Sequence, residues 1–431
     1  MSGHIHFLGI GGVSMCGLAA LAAAGGAYVT GSDRVENDRT ALLRRMGISV
    51  TIGQDIAGAT GASLVVYTAA IAETDPSLVA ARQAGVSCIT RAAYLGACML
   101  AYKRRVGVAG VHGKSTVTGM LAAVFAAAGA DATVLCGAGL VGDVPYRLGG
   151  RELLLFEACE YRDSFLAFSP TVAVLLNLEW EHVDYFHTLA QMRASFAAFA
   201  AGAQTVVANG EDANLMEALG DTPRVTYGFR EGDYTLRGLD WYHGDTYLGQ
   251  LALSVLGRHN LQNALAAATT AHTMGFAVPH ILAGLAAFSG VDRRLSYRGR
   301  LCGARVYDDY AHHPTEVAAS IAAARDSTSG RLICAFQSHT YSRTAAFRNA
   351  LCHHLKAADK VFLLPIYAAR EAPIPGVSAE ALAADIPNAR VCADAHALAR
   401  CLTAEAREGD LVLIMGAGDI DRTLAYLPLS R

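Results

Sequence analysis

The sequence predicts an α/β protein with parallel sheets, divided into three domains. Short apolar segments typical of buried strands alternate with helix-like segments along most of the chain, and this alternation indicates parallel β-strands connected by helices. A chain of 431 residues also exceeds what one hydrophobic core supports, because domains hold roughly 150 residues each. We expect the domains to cover residues 1–102, 103–295 and 296–431.

The first domain begins with HIHFLGIGG, a strand that runs into a glycine loop. Further strands are predicted at AYVTGSD, SLVVYTAAI and VSCITRA, with helices between them. One helix is marked at both ends, with Asp75 as the N-cap, Pro76 as the first helical residue and Gly85 just beyond the end. The basic residues 103–105 precede a new strand and mark the first boundary.

The other two domains follow the same pattern. The second has strand-like segments at VGVAG, LLLFEA, TVAVLLN and QTVVAN, followed by a long helix-like segment, NLQNALAAATTAHTMG. The third has strand-like segments within ARVYDDYAHHP, RLICAFQ, KVFLLPI, ARVCAD and LVLIMGAGD. We place the boundary between them within residues 292–300.

Composition excludes several classes of protein. The hydrophobic content is 53%, but no apolar run reaches the ~20 residues that span a bilayer, so we expect no membrane insertion. The N-terminus lacks the basic region of a signal peptide, which favours the cytoplasm. The ten cysteines form no CxxC pair and are interpreted as buried thiols. A net charge of -3 without a long basic run argues against a nucleic-acid partner.

The first glycine loop predicts a nucleotide site. Gly11 and Gly12 follow the first strand, and Asp33 lies at the end of the second, as in a dinucleotide fingerprint. Ser14 replaces the third glycine of that fingerprint. The same geometry holds any pyrophosphate at a helix N-terminus, so we favour a UDP-type nucleotide over a nicotinamide cofactor or a purely structural turn.

The second glycine loop predicts phosphate binding more specifically. It lies between a strand and a helix and consists of Gly110, Val111, His112, Gly113, Lys114, Ser115 and Thr116. Backbone N–H groups of such a loop close on phosphate oxygens, Lys114 supplies the positive charge, and the Ser115 hydroxyl is offered to Mg²⁺. Val108 occupies the place of the first glycine of a full Walker motif, so the loop is a shortened form.

Carboxylates and imidazoles follow the next strands. Glu157 ends one predicted strand, and Glu179, Glu181, His182 and Asp184 are placed at the end of another. Ligands collect at the carboxyl ends of the strands of an open parallel sheet. Oxygen-rich side chains beside nucleotide phosphates favour Mg²⁺, which predicts a magnesium site involving Glu157 and His182.

In the third domain, polar residues cluster at or after predicted strands. They are Asp309, Tyr310, His312, His313, His339 and Arg343. The adjacent histidines could suggest a transition-metal pair, but neighbouring side chains on extended backbone point to opposite faces. A dinuclear metal hydrolase is therefore not expected.

Nine segments together resemble the Mur ligases, in the same order from residue 4 to residue 420. They are HFLGIGGVSMCG, GVHGKST, FEACEYRDSFL, NLEWEHVDYF, GRHNLQNALAA, DDYAHHPTE, FQSHTYSRT, YAAREAPIPG and MGAGDI. The resemblance implies Rossmann-like N- and C-terminal domains around a central P-loop ATP-binding domain. It also implies an ATP- and Mg²⁺-dependent ligase that works through an acyl phosphate. Within the family, the segments look most like the branch that joins L-alanine to UDP-N-acetylmuramate in peptidoglycan synthesis.

The resemblance also implies roles for individual residues. Lys114 would bind the ATP phosphates, with Ser115, Glu157 and His182 as magnesium ligands. Adenine and ribose would contact His259, Asn260 and Asn263, while Arg293 or Arg294 would reach the γ-phosphate and Asp309 would complete the nucleotide site. The substrates would be held by Gly11, Gly12, Ser14, Asp33, Thr68, Arg91, Ser164, Tyr310, His312, His339 and Arg343.

The sequence departs from the family at several positions, and rival functions stay open. GVHGKST replaces the usual GTHGKTT, and Thr340 replaces a residue that is often basic near the amino-acid site. The stretch 187–205 lacks the lysine that several sister ligases carbamylate. The main alternative is a ligase of the same family that adds a preformed peptide to the same sugar nucleotide. A folylpolyglutamate-like ligase is a further alternative in the same class. An NAD-dependent oxidoreductase and a nucleotide-binding regulator without catalysis are the alternatives from other classes.

Overall fold

The structure is a computed structural model that describes residues 3–140, 144–369 and 371–430. Its strands form three separate sheets of five, ten and six strands. The chain divides into two compact units. Unit 1 holds Met1–Trp180, Thr188–Ala252 and Ala264–Ala286, and unit 2 holds Glu181–His187, Leu253–Asn263 and Ala287–Arg431. The predicted α/β class is confirmed, and the three domain boundaries stay a prediction.

The first sheet belongs to unit 1 and is parallel throughout, in the order β3-β2-β1-β4-β5. Its strands are β1 (His4–Leu8), β2 (Tyr28–Asp33), β3 (Ser49–Ile52), β4 (Leu64–Tyr67) and β5 (Ser87–Thr90), and its helices are α1 (Val13–Ala24), α2 (Asp38–Arg45), α3 (Ile56–Thr60), α4 (Pro76–Gln83) and α5 (Arg91–Met99). The predicted helix ends are confirmed at α4, where the Asp75 carboxylate accepts from the backbone N–H of Ser77 at 2.9 Å.

The second sheet, also in unit 1, has the order β15-β14-β13-β12-β11-β10-β6-β9-β7-β8. The strands are β6 (Arg104–Ala109), β7 (Ala132–Leu135), β8 (Tyr146–Arg147), β9 (Leu153–Glu157), β10 (Val172–Leu175), β11 (Thr205–Asn209), β12 (Val225–Gly228), β13 (Tyr234–Arg237), β14 (Asp240–His243) and β15 (Thr246–Gln250). The helices in this part of the chain are α6 (Lys114–Ala127), α7 (Leu189–Ala201), α8 (Ala213–Leu219), α9 (Arg258–Thr273) and α10 (Val278–Ala287), with a 3₁₀ helix at Tyr161–Ala167.

This sheet is mixed, which corrects the expectation of a parallel one. Strand β14 pairs antiparallel with both β13 and β15, and β8 pairs antiparallel with β7. The sequence reasoning missed β12–β15. The turns at Gly238, between β13 and β14, and at Gly244, between β14 and β15, both have positive φ and were the local signal for these two short hairpins.

The third sheet belongs to unit 2 and has the order β16-β17-β21-β18-β19-β20. Its strands are β16 (Ser296–Leu301), β17 (Ala304–Asp309), β18 (Leu332–Phe336), β19 (Lys360–Leu363), β20 (Ala389–Val391) and β21 (Leu411–Met415), and its helices are α11 (Pro314–Asp326), α12 (Tyr341–Leu355), α13 (Ala379–Ala384) and α14 (Ala395–Glu405), with a 3₁₀ helix at Ile420–Tyr426. Strand β16 occupies part of the stretch expected as a boundary and pairs antiparallel with β17. Buried apolar residues cover both faces of this sheet.

The parallel strands bring their carboxyl ends, and the polar loops that follow them, to one edge of each sheet. Helices α6 and α12 begin directly after such loops, at Lys114 and Tyr341. None of the helices in the described ranges is long and apolar enough to cross a membrane.

Candidate active site

The phosphate loop has the predicted strand, loop and helix. Strand β6 ends at Ala109, and Gly110 and Gly113 adopt positive φ values of 148° and 86° before α6 begins. Only glycine adopts such angles without strain, which explains the glycines at these two positions. Asn177 braces the loop, because its Oδ1 accepts from the His112 N–H at 2.8 Å and its Nδ2 donates to the His112 carbonyl at 3.0 Å.

Lys114 is held by the loop and by a carboxylate that sequence reasoning did not assign. Its Nζ donates to the Gly110 carbonyl, to the Val111 carbonyl at 3.2 Å and to Glu160 Oε2 at 3.0 Å. The side chain of Lys114 is 15% exposed and that of Glu160 is 1% exposed. Burial opposes the charge of Lys114, but Glu160, Cys159 and Glu157 together outweigh burial and raise the pKa of the ammonium. The signal for Glu160 in the sequence was a second carboxylate three residues after Glu157.

A cavity of about 320 Å³ in unit 1 brings several predicted residues together. Gly12 and Ser14 near the first glycine loop, Lys114 at the start of α6 and Glu157 at the end of β9 all line it, together with Thr68 and Arg91. The cavity thus joins the predicted UDP-nucleotide loop to the predicted phosphate loop.

Gly11, Asp33 and Ser164 are predicted substrate residues that lie outside the lining of this cavity. Asp33 Oδ2 accepts from the backbone N–H of Gly11 at 2.8 Å, so the carboxylate fixes the shape of the first glycine loop. Ser164 donates to the Tyr161 carbonyl at 2.7 Å within the 3₁₀ helix. In this structure, the side chains of Asp33 and Ser164 therefore hold nearby backbone in place.

Arg91 supplies a second cation to the cavity. It is the first residue of α5, and its guanidinium donates no hydrogen bond to any residue within the described ranges. Burial lowers its pKa, while Cys159 and Glu157 oppose that shift. A half-buried guanidinium with its five donors available suits an anionic ligand.

The predicted magnesium ligands divide between the two compact units. Ser115 is buried in the first turn of α6, and Glu157 ends β9, both in unit 1. Glu157 Oε1 accepts from the Gly137 N–H, while Oε2 accepts no hydrogen bond from the described residues. His182 belongs to unit 2 and has a φ of 54°. It lies beyond the end of β10 at Leu175, which corrects its predicted place directly at the end of that strand.

In unit 2, two arginines flank Tyr310. Arg293 and Arg294 place their guanidinium carbons 5.1 and 5.4 Å from the Tyr310 ring centroid. Arg293 also donates to the Gly416 carbonyl at 2.6 Å, and Arg294 lies 3.4 Å from a Glu316 oxygen. Both candidate phosphate arginines are therefore oriented by contacts within unit 2.

Asp309 lies at the end of β17 and is almost fully buried. Its carboxylate accepts from Ser320 at 2.7 Å and from the Ala311 N–H at 3.0 Å. Burial raises its pKa to about 6, although Arg294 acts in the opposite direction.

The residues expected to contact adenine and ribose begin helix α9. The Asn260 amide donates to the Leu256 carbonyl at 2.6 Å and its oxygen accepts from Asn263 at 3.2 Å. Burial, followed by Arg294, lowers the pKa of His259, so this imidazole is neutral near pH 7.

The predicted amino-acid residues form one polar cluster in unit 2. Arg343 Nη1 lies 3.0 Å from His339 Nδ1, and the His339 ring stacks on Tyr367 at 5.5 Å. The His312 ring centroid lies 6.0 Å from that of His339. Burial lowers the pKa of both histidines to about 4, so they are neutral near pH 7.

Glu181 completes this cluster, in a role that sequence reasoning did not assign. Its Oε1 accepts from Arg343 Nη2 at 2.6 Å and from Nε at 3.1 Å. Burial opposes the charge of Glu181, but Arg343, His313 and His312 together outweigh burial and lower the pKa to about 2.

Thr340 lies at the start of α12 in a strained conformation. Its φ is 66°, although branching at Cβ makes positive φ unfavourable for threonine. Its hydroxyl accepts from the Arg343 N–H at 3.4 Å and caps the helix. Thr340, which replaces a residue that is often basic in the family, is therefore the N-cap of α12, the helix that contains Arg343.

Comparison with known proteins identifies the class. Family models match along the chain for the Mur ligase catalytic domain (residues 4–103), the Mur ligase middle domain (108–271) and the glutamate ligase domain of Mur ligases (293–418). Together with relatives that are at least 36% identical over 97% of the chain, these matches show that the chain belongs to the Mur ligase family.

The relatives carry a more particular name. The chain is 40% identical to the UDP-N-acetylmuramate–L-alanine ligase of Agathobacter rectalis, over 97% of this chain and 96% of that protein. It is 36% identical to the protein of the same name from Clostridium novyi, over 97% and 95%. The crystal structure of the UDP-N-acetylmuramate–alanine ligase of Thermotoga maritima is 27% identical, covers 98% and 97% of the two chains and has a TM-score of 0.85. These names favour the alanine-adding prediction over the peptide-recycling alternative.

Proposed function

We propose that this protein joins L-alanine to UDP-N-acetylmuramate in an ATP-dependent reaction of peptidoglycan synthesis. The observation that carries the proposal is the cavity in unit 1, where Lys114 and Arg91 face the first glycine loop. A nucleotide-sugar acid and a triphosphate are both anionic, and this cavity offers two cations, Lys114 at the end of the phosphate loop and Arg91 at the start of α5. The family membership and the names of the relatives support the same activity. ATP and UDP-sugars imply the cytoplasm as its location.

The chemistry begins with activation of the acid. A carboxylate resists attack by an amine because it is a resonance-stabilised anion without a good leaving group. Transfer of the γ-phosphoryl group forms an acyl phosphate, but the approach of two anions costs about 4 kcal/mol per unit charge pair at 4 Å with an effective dielectric of 20. Lys114 and Arg91 offset this repulsion.

The residues around the phosphate loop fit a magnesium ion. Within unit 1, the Glu157 Oε2, which accepts no hydrogen bond from the described residues, and the Ser115 hydroxyl are hard oxygen ligands. The role of His182 as a further ligand rests on the resemblance of its segment to the Mur ligases. When bound, Mg²⁺ would neutralise phosphate charge and orient the γ-phosphoryl group. The amine of L-alanine then attacks the acyl carbon, and phosphate leaves as the amide forms. Exclusion of water protects the acyl phosphate from hydrolysis.

The activity is tested by release of phosphate from ATP in the presence of UDP-N-acetylmuramate and L-alanine. We expect release to require both substrates, and Lys114→Ala to reduce it by at least about 10²-fold through loss of phosphate stabilisation. Lys103→Ala is the matched control, because Lys103 is 74% exposed and pairs with the surface carboxylate of Glu152. Phosphate release that does not depend on UDP-N-acetylmuramate, or normal activity of the Lys114→Ala variant, would overturn the proposal.

The metal role is tested separately by magnesium titration. Glu157→Gln keeps the shape of the side chain but removes its charge, so the magnesium concentration for half-maximal activity should rise. Glu152→Gln, on the exposed surface, should leave the titration unchanged. An identical magnesium dependence of the Glu157 variant and the native protein would exclude Glu157 as a ligand.

A further inference from the structure

An ion pair lies at the centre of the polar cluster in unit 2. Arg343 directs both Nη2 and Nε to the same oxygen of Glu181, at 2.6 and 3.1 Å. The two side chains are 12% and 6% exposed. Burial of two charges carries a desolvation cost that a single ion pair often fails to recover, so stability alone explains such a pair poorly.

The surroundings of the pair leave each charge with a polar neighbour of its own. Glu181 Oε2 lies 3.7 Å from His313 Nε2, and Arg343 Nη1 lies 3.0 Å from His339 Nδ1. His313 is the N-cap of α11, and Arg343 lies in the first turn of α12. Glu181 Oε1 also accepts from the His182 N–H at 3.1 Å, so the two charged groups can separate without either losing every hydrogen-bond partner.

An α-amino acid carries opposite charges on one carbon atom, a carboxylate and an ammonium. A carboxylate and a guanidinium that face each other at contact distance present the complementary arrangement. The zwitterion can replace one protein ion pair by two, one at each end of the substrate. A peptide cannot do this, because its free ammonium and its free carboxylate lie at opposite ends of the chain.

We propose that Glu181 binds the ammonium group of the incoming amino acid while Arg343 binds its carboxylate, so that the buried pair selects free α-amino acids over peptides. This inference rests on the proposed function and adds Glu181 as a specificity-determining residue. In the absence of the amino acid, Arg343 and Glu181 form an ion pair with each other.

The test compares Michaelis constants in Glu181→Gln. Loss of a charge-assisted hydrogen bond should raise the KM for L-alanine on the order of tenfold. The KM for ATP should change much less. Glu181→Asp, which keeps the charge on a shorter side chain, should give an intermediate KM for L-alanine. The control is Glu405→Gln, which removes a carboxylate 2.7 Å from Arg331 elsewhere in unit 2 and should leave both constants unchanged.

A KM for L-alanine that is unchanged in Glu181→Gln, or that rises in parallel with the KM for ATP, would overturn the inference. Parallel changes would indicate a structural pair. If Glu181→Gln shows no turnover, Glu181→Asp is used in its place. A KM for L-alanine that rises more than the KM for ATP in that variant supports the inference, and a parallel rise overturns it. Native protein that fails to ligate L-alanine would instead refute the proposed function, so the two failures are distinguishable.

Discussion

Charged side chains at the candidate sites are held by partners distant in the sequence. Lys114 pairs with Glu160, which is 46 residues away, and Arg343 pairs with Glu181, which is 162 residues away. Buried charges require such partners, because an isolated charge in the interior costs several kcal/mol. Lys114, expected to bind phosphate, and Arg343, expected to bind a carboxylate, are therefore oriented by residues to which the sequence assigned no such partnership.

The histidines of unit 2 predict a pH dependence of stability. The pKa of His312 in the folded protein is lowered to about 4, because burial, supported by Arg343, outweighs the opposing effects of Glu316 and Glu181. The unfolded pKa is near 6.5, so the folded state binds the proton less tightly. The contribution of His312 to the free energy of unfolding is fully present above pH 6.5 and is lost as the pH falls toward 4.

Replacement of this histidine should remove that acid sensitivity. Between pH 6.5 and 4, we expect the unfolding free energy of His312→Gln to fall by about 3 kcal/mol less than that of the native protein. This figure follows from the size of the pKa shift. Urea unfolding at a series of pH values measures the effect. His353→Gln, at an exposed position of α12, is the control. Equal slopes for the His312 variant and the native protein would contradict the assignment.

At the scale of elements, helix α5 packs tightly against the 3₁₀ helix Tyr161–Ala167. A Cβ atom added at Gly96 would fall well within contact distance of the Ala167 carbonyl oxygen. The 3₁₀ helix follows Glu160 directly and contains Arg162 and Asp163 in left-handed conformations. Its position therefore bears on the carboxylate that holds Lys114.

Gly96→Ala should destabilise the protein although alanine is the better helix former. The steric overlap should cost about 1–3 kcal/mol, against a gain of about 1 kcal/mol from helix propensity. Displacement of the 3₁₀ helix should also lower the rate of ligation. Thermal unfolding and the phosphate-release assay measure both effects.

The matched control is Ala97→Gly at the next position of α5, which is exposed. It should cost only the propensity difference of about 1 kcal/mol and leave ligation intact. A Gly96→Ala protein that is more stable than the native one, with full activity, would show that α5 can move away from the carbonyl without consequence.

At the scale of the whole molecule, the proposed activity predicts a graded choice of amino acid. L-Alanine should be preferred over glycine and L-serine, which differ from it by a single group. One methyl group in an apolar pocket is worth only about 1–3 kcal/mol, so both should react slowly. Competition for limiting UDP-N-acetylmuramate, with products separated by mass, measures the preference.

The same competition includes a tripeptide. We expect little product from it, because its terminal charges lie too far apart for one pair of charged side chains. If the tripeptide were the preferred substrate, the protein would be a peptide-recycling ligase, and the proposed choice of L-alanine would be wrong.

Local sequence signals determined a large part of this protein. The alternation of apolar segments predicted the α/β class, and Asp75, Pro76 and Gly85 predicted both ends of α4. The segment around Lys114 predicted a strand, a phosphate loop and a helix. These predictions succeeded because caps, turns and phosphate loops depend on residues within a few positions of one another. The ordered segments from residue 4 to residue 420 identified the Mur ligases for the same reason.

Tertiary structure alone decided which distant residues meet. Strands β12–β15 were missed because strands of four or five residues carry weak periodicity and gain stability from pairing with neighbours. Glu160 and Glu181 were not assigned their partners, because an ion pair between residues 46 or 162 positions apart leaves no local pattern. The cavity that joins Ser14 and Arg91 to Lys114 likewise exists only once two sheets fold together. Local chemistry is encoded in short segments, whereas the partners that orient it are fixed by packing across the fold.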